Sequence, residues 1–240
     1  MTAMLEVKNL SAGYGGRPIV EDASLQVAAG EIATIIGHNG SGKSTLLKAV
    51  FNLVPWREGE VRLEGRDLAG LAPDRILAAG IAYIPQNRSV FPKLTVSENL
   101  RMGGYILNDA GLLRQRIAAV EALFPVLVER RAQLAGTLSG GEQRMLEVAR
   151  ALLVDPKLIM LDEPSIGLAP RMVDAVMDTV RVLRDQGKAV LMVEQNVKKA
   201  LAVSDRGYVM ELGRIRIEDA AASLIGDERV TRLYMGKRSA

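Results

Sequence analysis

The sequence predicts an α/β fold: a mainly parallel core sheet, an antiparallel β element ahead of it and a helical segment inserted into it. Three observations carry this expectation. The runs Glu31–Ile36, Lys157–Leu161 and Ala189–Val193 are short and almost wholly apolar, the composition of strands covered on both faces. Alternating short strands precede the first of them, as expected of an antiparallel element. From residue 89 to about 134 strand signals stop and apolar residues recur at helical spacing.

Composition bounds the rest. With 240 residues, 48% of them hydrophobic, the chain suits one large domain over 1–240, with a core of 1–88 and 135–240 and a helical subdomain at 89–134. The absence of cysteine excludes disulfides and thiolate metal sites. Net charge is +3 from 31 basic and 28 acidic residues, a near balance that gives no footprint for nucleic acid. The opening residues show no basic segment leading into an apolar one. No apolar run approaches the roughly 18 residues a spanning helix needs, so any membrane connection is expected to run through a partner.

Along the chain, Leu5–Lys8 and Ala23–Val27 alternate as strands around the turn Gly13-Tyr14-Gly15-Gly16. Tyr14, alone on that turn, could stack on an adenine face or simply pack at the surface. The stretch Gly37-His38-Asn39-Gly40-Ser41-Gly42-Lys43-Ser44 then satisfies the phosphate-loop pattern G-x-x-x-x-G-K-[ST]. It lies between a buried strand and the helical run Ser44–Val50, the context the pattern requires. The stretch therefore reads as a triphosphate cradle, with Gly37, Asn39, Gly40, Ser41, Gly42, Lys43, Ser44 and Thr45 as candidate ATP contacts. Gly40 and Gly42 turn the backbone so that amides point inward, and the helix N-terminus adds positive charge. Lys43 is expected to bridge the β- and γ-phosphates and Ser44 to ligate Mg²⁺.

Gly59–Leu63 alternates as a strand, and Pro73–Ala79 is a short helix with proline at its start and Gly80 at its end. Ile81–Ile84 is a buried strand that delivers Gln86 to a loop. Thr95 and Glu98 form a capping box, and Leu112–Leu123 has helical spacing. A second capping box, Ser139 with Glu142, opens a helix to about Leu153. The buried run ending at Leu161 leads into Asp162-Glu163, two acids that are costly to place there without a cation. Asp162 is expected to hold Mg²⁺, and Glu163 to orient or deprotonate the attacking water. Pro170–Asp185 is a helix, the next strand ends in Glu194-Gln195, and a hairpin turns around Gly213 before short polar helices to Ala240. In a parallel sheet ligands bind at the carboxyl ends of the strands, so these polar residues are expected to meet at one nucleotide.

The stretch Ser139-Gly140-Gly141 is a second glycine-rich helix N-terminus, and one ATP does not need two. A head-to-tail pair of such chains, each closing the other's nucleotide, resolves this. The series Tyr14, Gly37–Ser44, Gln86, Leu138-Ser139-Gly140-Gly141-Glu142-Gln143, Leu158–Glu163 and Gln195 resembles the nucleotide-binding subunit of ABC transporters over essentially the whole chain. That resemblance implies an ATPase using ATP and Mg²⁺. It makes Tyr14 the adenine-stacking residue, Gln86 the residue that senses Mg²⁺ and couples to membrane subunits, and Glu163 the catalytic base. Ser139 and Gly141 become contacts to the partner's γ-phosphate, and residues 165–170 a loop at the subunit interface. The helical segment becomes the face that receives the permease subunits.

One position departs from the family pattern. Where most members carry a histidine, this chain has Gln195, whose amide can donate to phosphate but cannot titrate. Its only histidine, His38, lies in the phosphate loop and has no second imidazole to make a metal site. The strings Glu194-Gln195-Asn196, Pro164–Pro170, Glu98–Gly103 and Tyr234-Met235-Gly236 look like those of the LivF-type ATPases of branched-chain (hydrophobic) amino-acid importers, where glutamine at this place is usual. The resemblance implies a second ATPase subunit, as heterodimer or homodimer, permease subunits, a periplasmic or extracellular binding protein and a place on the cytoplasmic face of the membrane. Import of urea or amides, a soluble non-transport ABC ATPase, and a binding-only subunit are the competing readings.

Overall fold

The computed structural model describes residues 3–235, and its elements follow the chain as follows. β1 (Ala3–Gly13) and β2 (Val20–Ala28) precede β3 (Ile32–Ile36), the phosphate loop and α1 (Lys43–Val50). Next come β4 (Trp56–Leu63), β5 (Arg66–Asp67), α2 (Pro73–Ala79) and β6 (Ile81–Ile84). The helical interval holds α3 (Val96–Gly103), α4 (Ala110–Leu123) and α5 (Pro125–Glu129). After it lie α6 (Gly140–Leu152), β7 (Leu158–Asp162), α7 (Pro170–Asp185), β8 (Ala189–Glu194) and α8 (Val197–Val203). The end is β9 (Arg206–Glu211), β10 (Arg214–Ala220), α9 (Ala221–Leu224) and α10 (Glu228–Met235). The expected helical tail beyond Met235, including Gly236, lies outside the described residues.

Two sheets result. An antiparallel sheet has the order β2-β1-β4-β5, and a six-stranded sheet the order β10-β9-β3-β8-β7-β6. Pairing from β9 through β3, β8 and β7 to β6 is parallel; only the β9–β10 hairpin is antiparallel. Every residue of β3, β7 and β8 is buried, which is why these runs carry no polar alternation. The period of two divides their side chains between two cores. Ala33, Ile35, Leu158, Met160, Leu191 and Val193 pack with the antiparallel sheet and α1. Ile32, Ile159, Leu161, Val190 and Met192 pack with helices α3 to α7.

The helical interval does not own a separate core. Val96, Leu100, Val120, Phe124 and Leu127 join the cluster that covers the parallel sheet. A single antiparallel bridge between Thr95 and Leu134 pinches its two ends together. Both capping boxes form. Glu98 N–H donates to Thr95 Oγ1 at 3.2 Å and Thr95 N–H to Glu98 Oε2 at 2.7 Å. Glu142 N–H donates to Ser139 Oγ at 3.3 Å and Ser139 N–H to Glu142 Oε2 at 2.8 Å. The short elements β5, α5 and α8 were not expected. Two to seven residues are too few for periodicity to register. α9 also differs from the expected polar tail, because Ala221 and Leu224 are fully buried against β9.

Candidate active site

The phosphate loop is built from local geometry. Gly40 and Gly42 take φ of 78° and 102°, the left-handed region that glycine enters without a Cβ clash, so the chain wraps tightly before α1 begins at Lys43. Lys43 folds back over the loop, its Nζ donating to the carbonyls of Gly37 at 2.8 Å and His38 at 2.9 Å. An ammonium has three donors, so one remains for a ligand. Burial lowers the pKa of Lys43, and the carboxylates of Glu163, Asp162 and Glu194 oppose that shift. Ser41 Oγ is buried without a hydrogen-bond partner among the described residues, a donor that a phosphate oxygen would satisfy.

Asp162, the last residue of β7, receives two hydroxyls. Ser44 Oγ donates to Oδ1 at 2.7 Å and the Tyr83 hydroxyl to Oδ2 at 3.0 Å. Burial, reinforced by Asp162, pushes the Tyr83 pKa well above the ordinary phenol value, so Tyr83 stays a donor. The site fits Mg²⁺ by its donor chemistry: the Ser44 hydroxyl and Asp162 carboxylate are hard oxygen donors side by side, with the Gln86 amide at the same cavity. Among the described residues no cluster of three or more His, Cys, Asp or Glu side chains could hold a metal alone. Mg²⁺ binds through few protein ligands and completes its coordination with water and substrate phosphates.

Glu163 follows at φ 47°, where a residue with a Cβ stores about 1–3 kcal/mol of strain. Its N–H is tied to the Val193 carbonyl at 2.9 Å and the residue is only 5% exposed. Two amides meet its carboxylate: Gln86 Nε2 at 2.9 Å and Gln195 Nε2 at 2.7 Å, both on Oε2. Among the described residues nothing donates to Oε1, which is left to accept a proton. Gln195, expected at a phosphate, here spends its amide on the carboxylate.

One cavity of about 550 Å³ gathers these groups. Asn39, Gly40, Gly42, Lys43, Ser44 and Thr45 line it from the loop and α1, and Gln86, Glu163 and Gln195 from the strand ends. Ile19 and Ile166 complete the wall. Sequence reasoning missed them, because isolated apolar loop residues carry no chemical signature. Tyr83 was missed as well, although its hydroxyl amid an otherwise apolar strand was the available signal.

Comparison with known proteins adds the decisive observation. The family model described as "ABC transporter" matches residues 20–166. The chain belongs to the ABC transporter ATP-binding family. It is similar to the high-affinity branched-chain amino acid transport ATP-binding protein BraG of Pseudomonas aeruginosa, 44% identical over 97% of this chain and 100% of that protein. It is also similar to the probable branched-chain amino acid transport ATP-binding protein LivF of Archaeoglobus fulgidus, 40% identical over 97% of this chain and 99% of that one. Among solved structures, the ADP conformation of an ATP-binding cassette of an ABC transporter superposes with a TM-score of 0.88. It is 28% identical and covers 99% of this chain and 100% of that one. As an ABC transporter ATPase, the chain binds ATP and works with permease subunits.

The other expected ATP contacts of this ABC subunit lie elsewhere. Tyr14 stands half exposed on the β1–β2 loop, outside the cavity lining. Ser139, Gly140 and Gly141 cap α6 away from the cavity, with Gly141 tight against the Met172 side chain of α7. His38 bonds through Nε2 to the Leu233 carbonyl of α10 at 2.8 Å. Below the Gln86 loop, Arg144 of α6 donates to the carbonyls of Pro85 at 3.0 Å and Gln86 at 3.2 Å and pairs with Glu147 at 2.9 Å. Glu147 Oε1 accepts from the Ser89 N–H, so the loop is fastened to α6 at both ends.

Proposed function

We propose that this ABC ATPase powers the import of branched-chain (hydrophobic) amino acids, as one half of a head-to-tail ATPase pair on the cytoplasmic face of the cell membrane. The observation that carries its hydrolytic part is the Glu163 carboxylate beside the phosphate loop, held on Oε2 by Gln86 and Gln195, with no donor to Oε1 among the described residues. The substrate class is supported by the printed names of the relatives at 44% and 40% identity and by the Glu194-Gln195-Asn196 string.

In this reading the loop amides from Gly37 to Gly42, the Ser41 hydroxyl, the third Lys43 donor and the Thr45 end of the loop hold the phosphates. Ser44, Asp162 and Gln86 hold Mg²⁺, which when bound neutralises charge on the phosphate oxygens. Glu163 Oε1 takes the proton of the water whose oxygen bonds the γ-phosphorus as the bond to ADP breaks. Gln195 keeps Glu163 aimed, and Tyr14 stacks on adenine. The cap of α6 lies outside the cavity, so Ser139, Gly140 and Gly141 act on the nucleotide of a second ATPase subunit, a related chain or a second copy. Residues 89–134 form the subdomain that, with the Gln86 loop, meets the permease subunits. A periplasmic or extracellular binding protein delivers the substrate. Attachment to the membrane runs through the permease; among the described residues no helix is long and apolar enough to cross a membrane.

Two measurements test this. Lys43→Ala is expected to raise the Kd for ATP at least about tenfold, whereas Gln195→Ala keeps it within about threefold and lowers turnover; equal binding losses in an ATP titration count against this division. In proteoliposomes carrying the permease and both ATPase subunits, labelled leucine, isoleucine or valine is expected to accumulate only with ATP and the cognate binding protein. Accumulation of urea or a short amide instead would reassign the substrate and leave the ATPase intact.

A further inference from the structure

We propose that Glu194 is a positioning residue for ATP hydrolysis, a buried clamp that ties the loop after β7 to the loop after β8 and so keeps Gln195 on Glu163. The inference rests on the roles proposed above for Glu163 and Gln195. Glu194 ends β8, is 1% exposed and pairs in register with Ile36, the residue before the phosphate loop. Its carboxylate takes backbone amides from both neighbouring loops. Oε1 accepts from Ser165 N–H at 2.9 Å, and Oε2 from Gln195 N–H at 3.1 Å and Asn196 N–H at 3.4 Å.

Those contacts grip Glu163 from two directions. Ser165 is two residues past Glu163, within the turn closed by Ile166 N–H to the Glu163 carbonyl at 3.2 Å, so fixing Ser165 fixes the strained backbone that presents the carboxylate. Gln195 and Asn196 are held at successive amides, which sets where the Gln195 side chain leaves the strand end and reaches Glu163 Oε2 at 2.7 Å. Among the described residues no lysine or arginine forms an ion pair with Glu194, so its charge is met by these backbone donors and by the field of Lys43. A buried carboxylate satisfied only this way is costly to keep.

The test uses the full chain, assembled with its partner subunits, and measures kcat, the KM for ATP and Tm. Glu194→Ala is expected to lower kcat at least about tenfold with KM changed less than about threefold. Glu194→Gln, which keeps the shape but offers one acceptor oxygen, is expected to recover part of that loss. It carries the same test should the alanine variant fail to fold. In a Gln195→Ala background, Glu194→Ala or Glu194→Gln is expected to cost clearly less than it does in the parent, because the Gln195 arm of the clamp is already removed and only the Ser165 arm remains. A stable variant with unchanged kcat, or full additivity of the two losses, overturns the proposal. Should Gln195→Ala alone leave kcat unchanged, the proposed role of Gln195 falls first and the clamp with it.

Discussion

Glu163→Gln is expected to cut steady-state ATP hydrolysis by about 10²–10⁴-fold, while ATP binding stays within about threefold and a nucleotide-bound dimer accumulates. The substitution changes one oxygen for a nitrogen and nothing in volume. Gln86 and Gln195 both donate to Oε2, and the amide carbonyl of a glutamine placed there still accepts both bonds, so the cavity wall keeps its shape. What disappears is the acceptor at Oε1: an NH₂ group cannot take a proton from water. The phosphate-loop contacts of Lys43 and the Ser44–Asp162 pair lie on other residues and remain. Phosphate release, ATP titration and size-exclusion chromatography in excess ATP check the three parts. Unchanged phosphate release would remove Glu163 from the proton transfer, whatever the dimer does.

The residues that line the cavity were legible where chemistry is local. The phosphate loop needs glycines, a lysine and a hydroxyl within eight positions, and the strands that position it are buried on both faces and so read as unbroken apolar runs. Both capping boxes were legible for the same reason, since their partners lie three residues apart. The contacts that were not legible join distant parts of the chain. Tyr83 meets Asp162 across 79 residues, Ser165 meets Glu194 across 29, and Arg144 reaches the Gln86 carbonyl across 58. Each looks ordinary in sequence: a tyrosine in a strand, a glutamate at a strand end, an arginine in a polar helix turn. Strand order brings the first two pairs together, because β6, β7 and β8 lie side by side and their carboxyl ends share one edge, and α6 supplies the third.

Arg144→Met is expected to destabilise the folded chain by about 3–5 kcal/mol, a fall in Tm of roughly 6–20 °C for a protein of this size. The Arg144–Glu147 pair is almost wholly buried, with side chains 6% and 1% exposed. Removing the guanidinium leaves the Glu147 charge without its partner in a low-dielectric interior, and that uncompensated charge, more than the lost attraction, sets the cost. It also strips donors from the Pro85 and Gln86 carbonyls. Adding Glu147→Leu to Arg144→Met removes the stranded charge, so the double variant is expected to regain much of the lost Tm. Its turnover is expected to stay low. Neither methionine nor leucine can hold the Gln86 loop, and the Ser89 N–H loses its acceptor, so the Gln86 amide is no longer presented squarely to Glu163. Thermal unfolding and steady-state hydrolysis on the single and double variants therefore separate two effects of one ion pair. A single variant within about 2 °C of the parent would show that the buried charge is met by other means. A double variant with full turnover would show that the loop holds its position without α6.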